Sequence, residues 1–425
     1  MFSAMAASHA QLASDDMFSA MAATRAELAF EQLQSNYWQP HSGFWSSSMW
    51  WQTANTIETL CNFAELPGAP KSTVTELLPV VFAATSNATR ARCDKGVDLT
   101  FSGYVDDMLW WGIAWLRAFQ LTANRSYLGR SVEIFDDATT RAWLNESCGG
   151  GVCWQLSKDE NDMRNCYKNA ITNELFLALA GGLALHHPDA ARAKAARTWA
   201  ARQATWFLKS GLINGSNLVN DGLDTFDNHW DVCLNNRATA YTYNQGVILS
   251  GLASAWLAAK AAGERPDDAL LQTAVRIVDA TWASHLVHSG TNVLREMGEA
   301  ISLPVGNLYQ GAPGGDGIQF KGVLIRHLAY FVRAVEGDGD ALAVVRAAGG
   351  NTSRWRGYVG ENADSIWAHA ACVPPMPLGA GKSLEVPALF GFRWMGPCSY
   401  AFGGPTATSQ TAAIDVFVAA ASLAS

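Results

Sequence analysis

The chain is poor in charge. Asp, Glu, Lys and Arg make up 16% of its 425 residues, against roughly 25% in an ordinary soluble protein. Basic residues are the scarcer kind: 30 Lys and Arg face 38 Asp and Glu, a formal charge of −8. A nucleic-acid binder needs basic patches to displace counterions from phosphate, so that class is excluded. Uncharged apolar runs never reach the roughly 18 residues of a spanning helix. The best of them, 246–259, stops at Lys260 and reads as buried core, so no membrane span is expected. Cys-x-x-Cys pairs are missing, which argues against a zinc knuckle. The glycine run 149–151 lacks a following Lys-Ser/Thr, which argues against a phosphate loop. The loop with Asp221, Asp227 and His229 lacks the spacing of a calcium-binding hand. No metal or cofactor is therefore expected. Fixed repeats of solenoid length, Pro/Ser linkers and charge blocks are also missing. The opening residues show no basic patch followed by an apolar block, so no signal peptide is read there. MFSAMAA occurs at 1–7 and again at 17–23. We expect an N-terminal extension at 1–16, open to disorder, and a single domain over 17–425.

What fills the space is apolar: 49% of residues are hydrophobic, with 37 Gly and 17 Trp. Helical periodicity recurs at Asn55–Glu65, Asp107–Thr122, Ala170–His186, Ala190–Ser210, Tyr243–Ala262, Pro266–Ala283, Lys321–Val335 and Thr411–Ala424. Each segment ends at a Gly, Asn, Asp or Pro break. Strand alternation is rare. The pattern predicts an all-α protein, six helical hairpins closed into a double ring. Long interhelical loops carry Trp, Tyr, Asn and Asp, the place where function is expected.

Eight cysteines and five Asn-x-Ser/Thr sequons, at Asn87, Asn124, Asn145, Asn214 and Asn351, point to a secreted or cell-wall protein with disulfides. The short Gly-rich loop makes Cys148–Cys153 the expected local bridge.

Trp at helical spacing fills cores. Trp38, Trp45, Trp154 and Trp230 instead sit beside Gly, Asn and Asp. Flat rings next to amides and carboxylates suit the apolar faces and hydroxyls of sugars. The sharpest feature is Tyr104-Val105-Asp106-Asp107, followed by Trp110-Trp111-Gly112. One Asp at a helix start is a cap. Two adjacent acids against an apolar helix are costly unless used or solvated. Neighbouring side chains readily place carboxyl groups about 5–6 Å apart, the spacing of a retaining glycosidase rather than an inverting one.

These pieces resemble glycoside hydrolase family 76, endo-α-1,6-mannanases and related fungal cell-wall mannan transglycosylases. The matching motifs run in order: Trp50-Trp51-Gln52-Thr53-Ala54-Asn55, Tyr104-Val105-Asp106-Asp107 with Trp110-Trp111-Gly112, Gly149–Gly151 before Trp154, Tyr167-Lys168-Asn169-Ala170-Ile171-Thr172-Asn173, Thr242-Tyr243-Asn244-Gln245-Gly246, and Phe320-Lys321-Gly322-Val323-Leu324-Ile325-Arg326. The resemblance implies an (α/α)6 toroid that cleaves α-1,6-mannosidic linkages with retention, Asp106 as nucleophile and Asp107 as general acid/base. It implies a sugar cleft built from Trp51, Asn55, Tyr104, Trp110, Trp111, Trp154, Tyr167, Asn169, Asn173, Asp221, Tyr243, Asn244 and Gln245. The expected partner is α-mannan or a mannan-type oligosaccharide, bound by a monomer. Two rivals stand beside this reading: transglycosylation as the main outcome, and a non-catalytic mannan-binding toroid. Lys321 and Arg326 are expected to serve in structural ion pairs.

Overall fold

A computed structural model describes residues 2–48, 50–92, 103–156, 166–226, 229–296, 299, 315–372, 389–398 and 404–424. Cys93, Asp227 and residues 307–314 lie outside them, as do the side chains of Asn87, His229 and Trp230. Six helices form an inner ring: α2 (Trp50–Phe63), α4 (Val105–Thr122), α6 (Ala170–His186), α8 (Thr242–Ala261), α10 (Phe320–Glu336) and α13 (Ala407–Ala424). Each packs on the next, and α13 closes on α2. Around them lie α1 (Phe2–Tyr37), α3 (Lys71–Arg92), α5 (Arg125–Asp137), α7 (Ala190–Lys209), α9 (Ala269–Trp282), α11 (Gly339–Ala347) and α12 (Thr352–Ser365). This is an (α/α)6 toroid, with α1 as an added helix laid against α13. From Phe2 the segment expected as an extension is continuous with α1.

The ring closes because small residues stand where inner helices meet. A Cβ on Gly246 would lie 2.5 Å from the Leu324 backbone, and one on Gly322 would lie 2.7 Å from that of Ala412. Backbones this close tolerate no side chain. The inner helix α6 is accordingly buried on nearly every face, as an element between other helices must be. Outer helices show one buried stripe; α9 buries Leu270, Leu271, Ala274, Val275, Ile277 and Val278.

The loop read as Gly- and Asp-rich before α8 is a hairpin. Strands β2 (Gly222–Phe226) and β3 (His229–Asn235) pair antiparallel, and β1 (Lys168–Asn169) adds to β2. The expected Cys148–Cys153 bridge does not form. Cys148 pairs with Cys233 of β3, Cys153 with Cys166, and Cys372 with Cys398. Gly149, Gly150 and Gly151 all have positive φ (64°, 139° and 83°), and this turn sends the two cysteines to different neighbours. It is also pressed against Trp206, whose ring leaves no room for a Cβ on Gly151. Cys61 is a buried thiol, pushed up to about 12 by burial.

Candidate active site

The inner helices all begin at one end of the barrel. Their first turns bring Trp51, Trp110, Tyr243 and Phe320 into ring contact there. At this mouth α4 presents the two acids. Tyr104 is extended, and the helix starts at Val105. Its first free N–H groups need partners. The Val105 N–H donates to the Trp154 carbonyl (2.8 Å), and the Asp107 N–H donates to Asp106 Oδ1 (3.0 Å). Asp106 therefore satisfies one free N–H of the first turn, with one oxygen. The other, Oδ2, accepts from Trp154 Nε1 (3.0 Å).

Asp106 and Asp107 are both half-buried. Asp106 keeps a window to solvent, yet enough protein encloses it that burial is the largest influence on its proton. Burial and the Asp107 charge push its carboxyl up to about 8, against the two N–H donors that favour the ionised form. At neutral pH the pair thus carries a proton between its members. That is the state in which one carboxyl can donate and the other attack.

Around the pair, aromatic donors hold further acids. Trp51 Nε1 donates to Asp316 Oδ1 (3.1 Å) while its ring stacks on Trp110 (5.7 Å between centroids). The Tyr167 hydroxyl donates to Asp221 Oδ2 and accepts from Asn236 Nδ2 (2.9 Å). Burial raises the carboxyls of both Asp316 and Asp221. Tyr243 lies flat on Phe320 at 3.7 Å. Burial, and the charges of Asp221, Asp106 and Glu174, keep its phenol protonated, so it stands among these acids. Tyr104 is exposed and packs its ring against Trp154 at 5.2 Å.

Other sequence candidates serve the scaffold. Asn173 receives the Val152 N–H (2.7 Å) and donates to the Val152 and Asn169 carbonyls. Gln245 does the same for Val219. Asn55 donates to the Trp51 carbonyl and accepts from Arg326. Asn169 caps α6 by accepting from the Thr172 N–H. Trp111 is core, stacked on Trp115. Asn244 is fully buried in the first turn of α8, and neither amide atom has a partner. Lys168 is buried too, donating to the Gly151 carbonyl (2.6 Å), with its amine brought down to about 7 by burial.

Two acids at the mouth escaped the sequence reading. Asp316 sits in a Gly-rich stretch with no periodicity to mark it. Glu174 lies inside the apolar run of α6 and reads as core; it is fully buried, its oxygens lack hydrogen-bond partners, and burial raises its carboxyl well above the ordinary range. An acid within a wholly apolar helical run was the available signal. Among the described residues no group of three or more His, Cys, Asp or Glu is placed to hold a metal.

Three kinds of relative share this architecture. Residues 9–344 match the model of glycosyl hydrolase family 76. The chain is similar to the mannan endo-1,6-alpha-mannosidase DCW1 of Eremothecium gossypii, at 28% identity over 158 residues, 35% of this chain and 33% of that one. It is similar to DCW1 of Candida glabrata, at 31% over 156 residues, 35% and 32%. These matches span about a third of the length of the relatives. Among solved structures, an inactive variant of an alpha-1,6-mannanase of Salegentibacter sp. HEL1_6, with two consecutive aspartates replaced and alpha-1,6-mannotetrose bound, superposes with a TM-score of 0.69 at 21% identity, covering 95% of this chain and 99% of that one. Dfg5 of Chaetomium thermophilum in complex with glucosamine gives 0.61 at 19% identity, covering 96% and 89%. The family match takes in five of the six inner helices and the acid pair, and the chain belongs to glycosyl hydrolase family 76.

Proposed function

We propose that residues 17–425 form one catalytic unit, a retaining glycosidase acting on α-1,6-linked mannan. The observation that carries this reading is the adjacent acid pair at the start of α4. Asp106 is held at both oxygens by N–H donors, and Asp107 follows it on the same helix turn. Asp106 attacks the anomeric carbon while Asp107 gives its proton to the departing glycosidic oxygen. The C–O bond breaks and a β-linked mannosyl ester of Asp106 forms. Asp107, now ionised, takes a proton from water as the water attacks, and the α-anomer and free Asp106 are restored. Trp51, Trp110, Trp154 and Tyr243 offer ring faces, and Asp221 and Asp316 offer oxygens for hydroxyls. The relatives named as mannan endo-1,6-alpha-mannosidases, and the mannanase inactivated at two consecutive aspartates, support the substrate and the pair. Three disulfides support a secreted or cell-wall setting.

A second reading is transglycosylation, with a sugar hydroxyl in place of water. Asp221 and Asp316 form no ion pair among the described residues, so the mouth offers uncompensated carboxylates to an amino-sugar acceptor such as the glucosamine bound by the Chaetomium relative. One incubation with linear α-1,6-mannan tests both. Shorter oligosaccharides, released first as the α-anomer by proton NMR, are expected. Longer products with added acceptor favour transfer; β-anomer first, or cleavage of β-mannan instead, overturns the proposal.

A further inference from the structure

Trp154 is held more tightly than a sugar platform needs to be. Its N–H donates to the Tyr167 carbonyl and its own carbonyl accepts from Val105, both at 2.8 Å. The next residue, Gln155, bridges to Tyr104. The preceding residue is Cys153, tied to Cys166. The ring is flanked by Tyr104 at 5.2 Å and Tyr167 at 6.1 Å. All this fixes one atom: Nε1, which faces Asp106 Oδ2.

We propose that Trp154 is the positioning residue of the nucleophile: its indole N–H, with the Asp107 backbone N–H, locks the carboxylate plane of Asp106 and directs the shared proton to Asp107. The inference rests on the reading of Asp106 as nucleophile. An indole N–H is a donor only, as is a backbone N–H. With a donor facing each oxygen, a proton on Asp106 displaces one of these hydrogen bonds, whereas the ionised form satisfies both. The pair must carry one proton, and this geometry chooses its holder. The same two contacts stop rotation of the carboxylate, so the attacking oxygen is aligned before substrate arrives. Trp154 also grips the first turn of α4 through its carbonyl, so the donor and the nucleophile it serves move as one unit.

Two variants test this: Trp154→Phe, and an isosteric benzothienylalanine at position 154, which keeps both rings and loses only the N–H. On an activated aryl α-mannoside, kcat is expected to fall about tenfold to a hundredfold, the worth of a hydrogen bond to a charged group. KM is expected to stay within about threefold, because the ring faces remain. The acid limb of kcat/KM is expected to move up by about one pH unit, since a donor to the ionised form has gone. Asp107 on the same helix and Tyr243 of α8 are the titratable groups that share the field of Asp106, and both variants leave them in place. A rise in KM with an unmoved acid limb and kcat overturns the proposal and leaves Trp154 a stacking platform. A 2-fluoromannosyl label on wild-type enzyme separates this from the underlying reading. If peptide mapping finds it on Asp107, the role of Asp106 fails. If it sits on Asp106 and both variants are labelled at the wild-type rate, the positioning role fails.

Discussion

The two ends of the barrel treat charge in opposite ways. From the middle of the barrel toward the far end, where the inner helices finish, charges are largely paired. Arg326 pairs with Asp415 (2.8 Å) and Glu58 (3.3 Å), Thr59 donates to Asp415 (2.6 Å), and the Tyr330 hydroxyl donates to Glu58 (3.0 Å). Arg117 pairs with Glu65, and Lys260 with Asp338. A cavity of about 1,050 Å³ opens here, lined by Glu58, Glu65, Arg117, Lys260, Tyr330 and Asp338 and by Ile113, Leu116 and Leu257. It is chemically quiet, because its charges are largely engaged with partners. At the mouth, Asp106, Asp221, Asp316 and Glu174 have no ion-pair partner among the described residues. Burial raises all four. Unbalanced carboxyls, rather than the cavity, direct attention to the mouth as the candidate site.

The strongest way to break this contrast is to remove the acid proposed as the nucleophile. Asp106→Ala is expected to abolish turnover of every substrate, by about 10⁴-fold or more, because no nucleophile remains. Circular dichroism should show an intact fold. Residual activity within tenfold of wild type removes Asp106 from the chemistry.

Asp107→Ala should sort substrates by leaving group. Natural mannan, whose departing oxygen needs a proton, is expected to lose about 10²–10⁴-fold. An activated aryl α-mannoside should still give a burst of phenol, followed by slow turnover. A burst in Asp106→Ala instead would show that the two roles are exchanged.

The far end should answer in stability rather than rate. Arg326→Met leaves Glu58 and Asp415 buried without their cation, and burial already pushes the Asp415 carboxyl up to about 6. The expected loss is roughly 3–5 kcal/mol in denaturant unfolding, since breaking a buried ion pair strands the remaining charge. Enzyme that stays folded should keep kcat within about tenfold, because Arg326 reaches the mouth only through Asn55, which donates to the Trp51 carbonyl. A large drop in kcat without loss of stability would erase the distinction between the ends.

How much of this was legible beforehand follows the same division. Inner helices were visible because burial on all sides makes long apolar runs; α6 and the bulk of α4, α8, α10 and α13 fall where periodicity placed them. Outer helices were harder. Pro79 lies inside α3, and Gly357 and Gly360 interrupt α12, so local propensity speaks against helices that packing enforces. The expected ion pairing of Lys321 and Arg326 is present, with Glu299 and with Asp415 and Glu58. Disulfide pairing was not legible, because three left-handed glycines turn Cys148 away from Cys153. Amides were the least legible class. Sequence cannot tell an Asn that contacts a sugar from one that, like Asn173, completes the hydrogen bonds of a loop. Acids were read in the Asp106–Asp107 pair and in the polar loop at Asp221, and missed at Asp316 and Glu174, where a glycine-rich stretch and an apolar helical run hid them.

The smallest expected effect is the one that measures what the mouth gives up in stability. The Asp106–Asp107 pair keeps one proton up to about pH 8, whereas a free aspartate loses its own near 3.8. Between those values the unfolded chain releases a proton that the folded pair retains, so this contribution to stability is fully present below about pH 4 and lost as pH rises through 8. Asp106→Asn cannot ionise and escapes that loss. It also offers one acceptor where Asp106 offers two, so it forfeits part of the hydrogen bonding from Trp154 and Asp107 at every pH. A single melting temperature mixes these opposing effects. Their pH dependence separates them, because only the first varies with pH. The melting temperature of Asp106→Asn minus that of wild type should therefore climb from pH 4 to pH 8 by a few degrees, about what a modest linkage gain gives in a chain of this size, and level off above. A flat difference would mean that the pair ionises in the folded protein as easily as in the unfolded one, and the mouth would then hold its acids at no more cost than the paired far end.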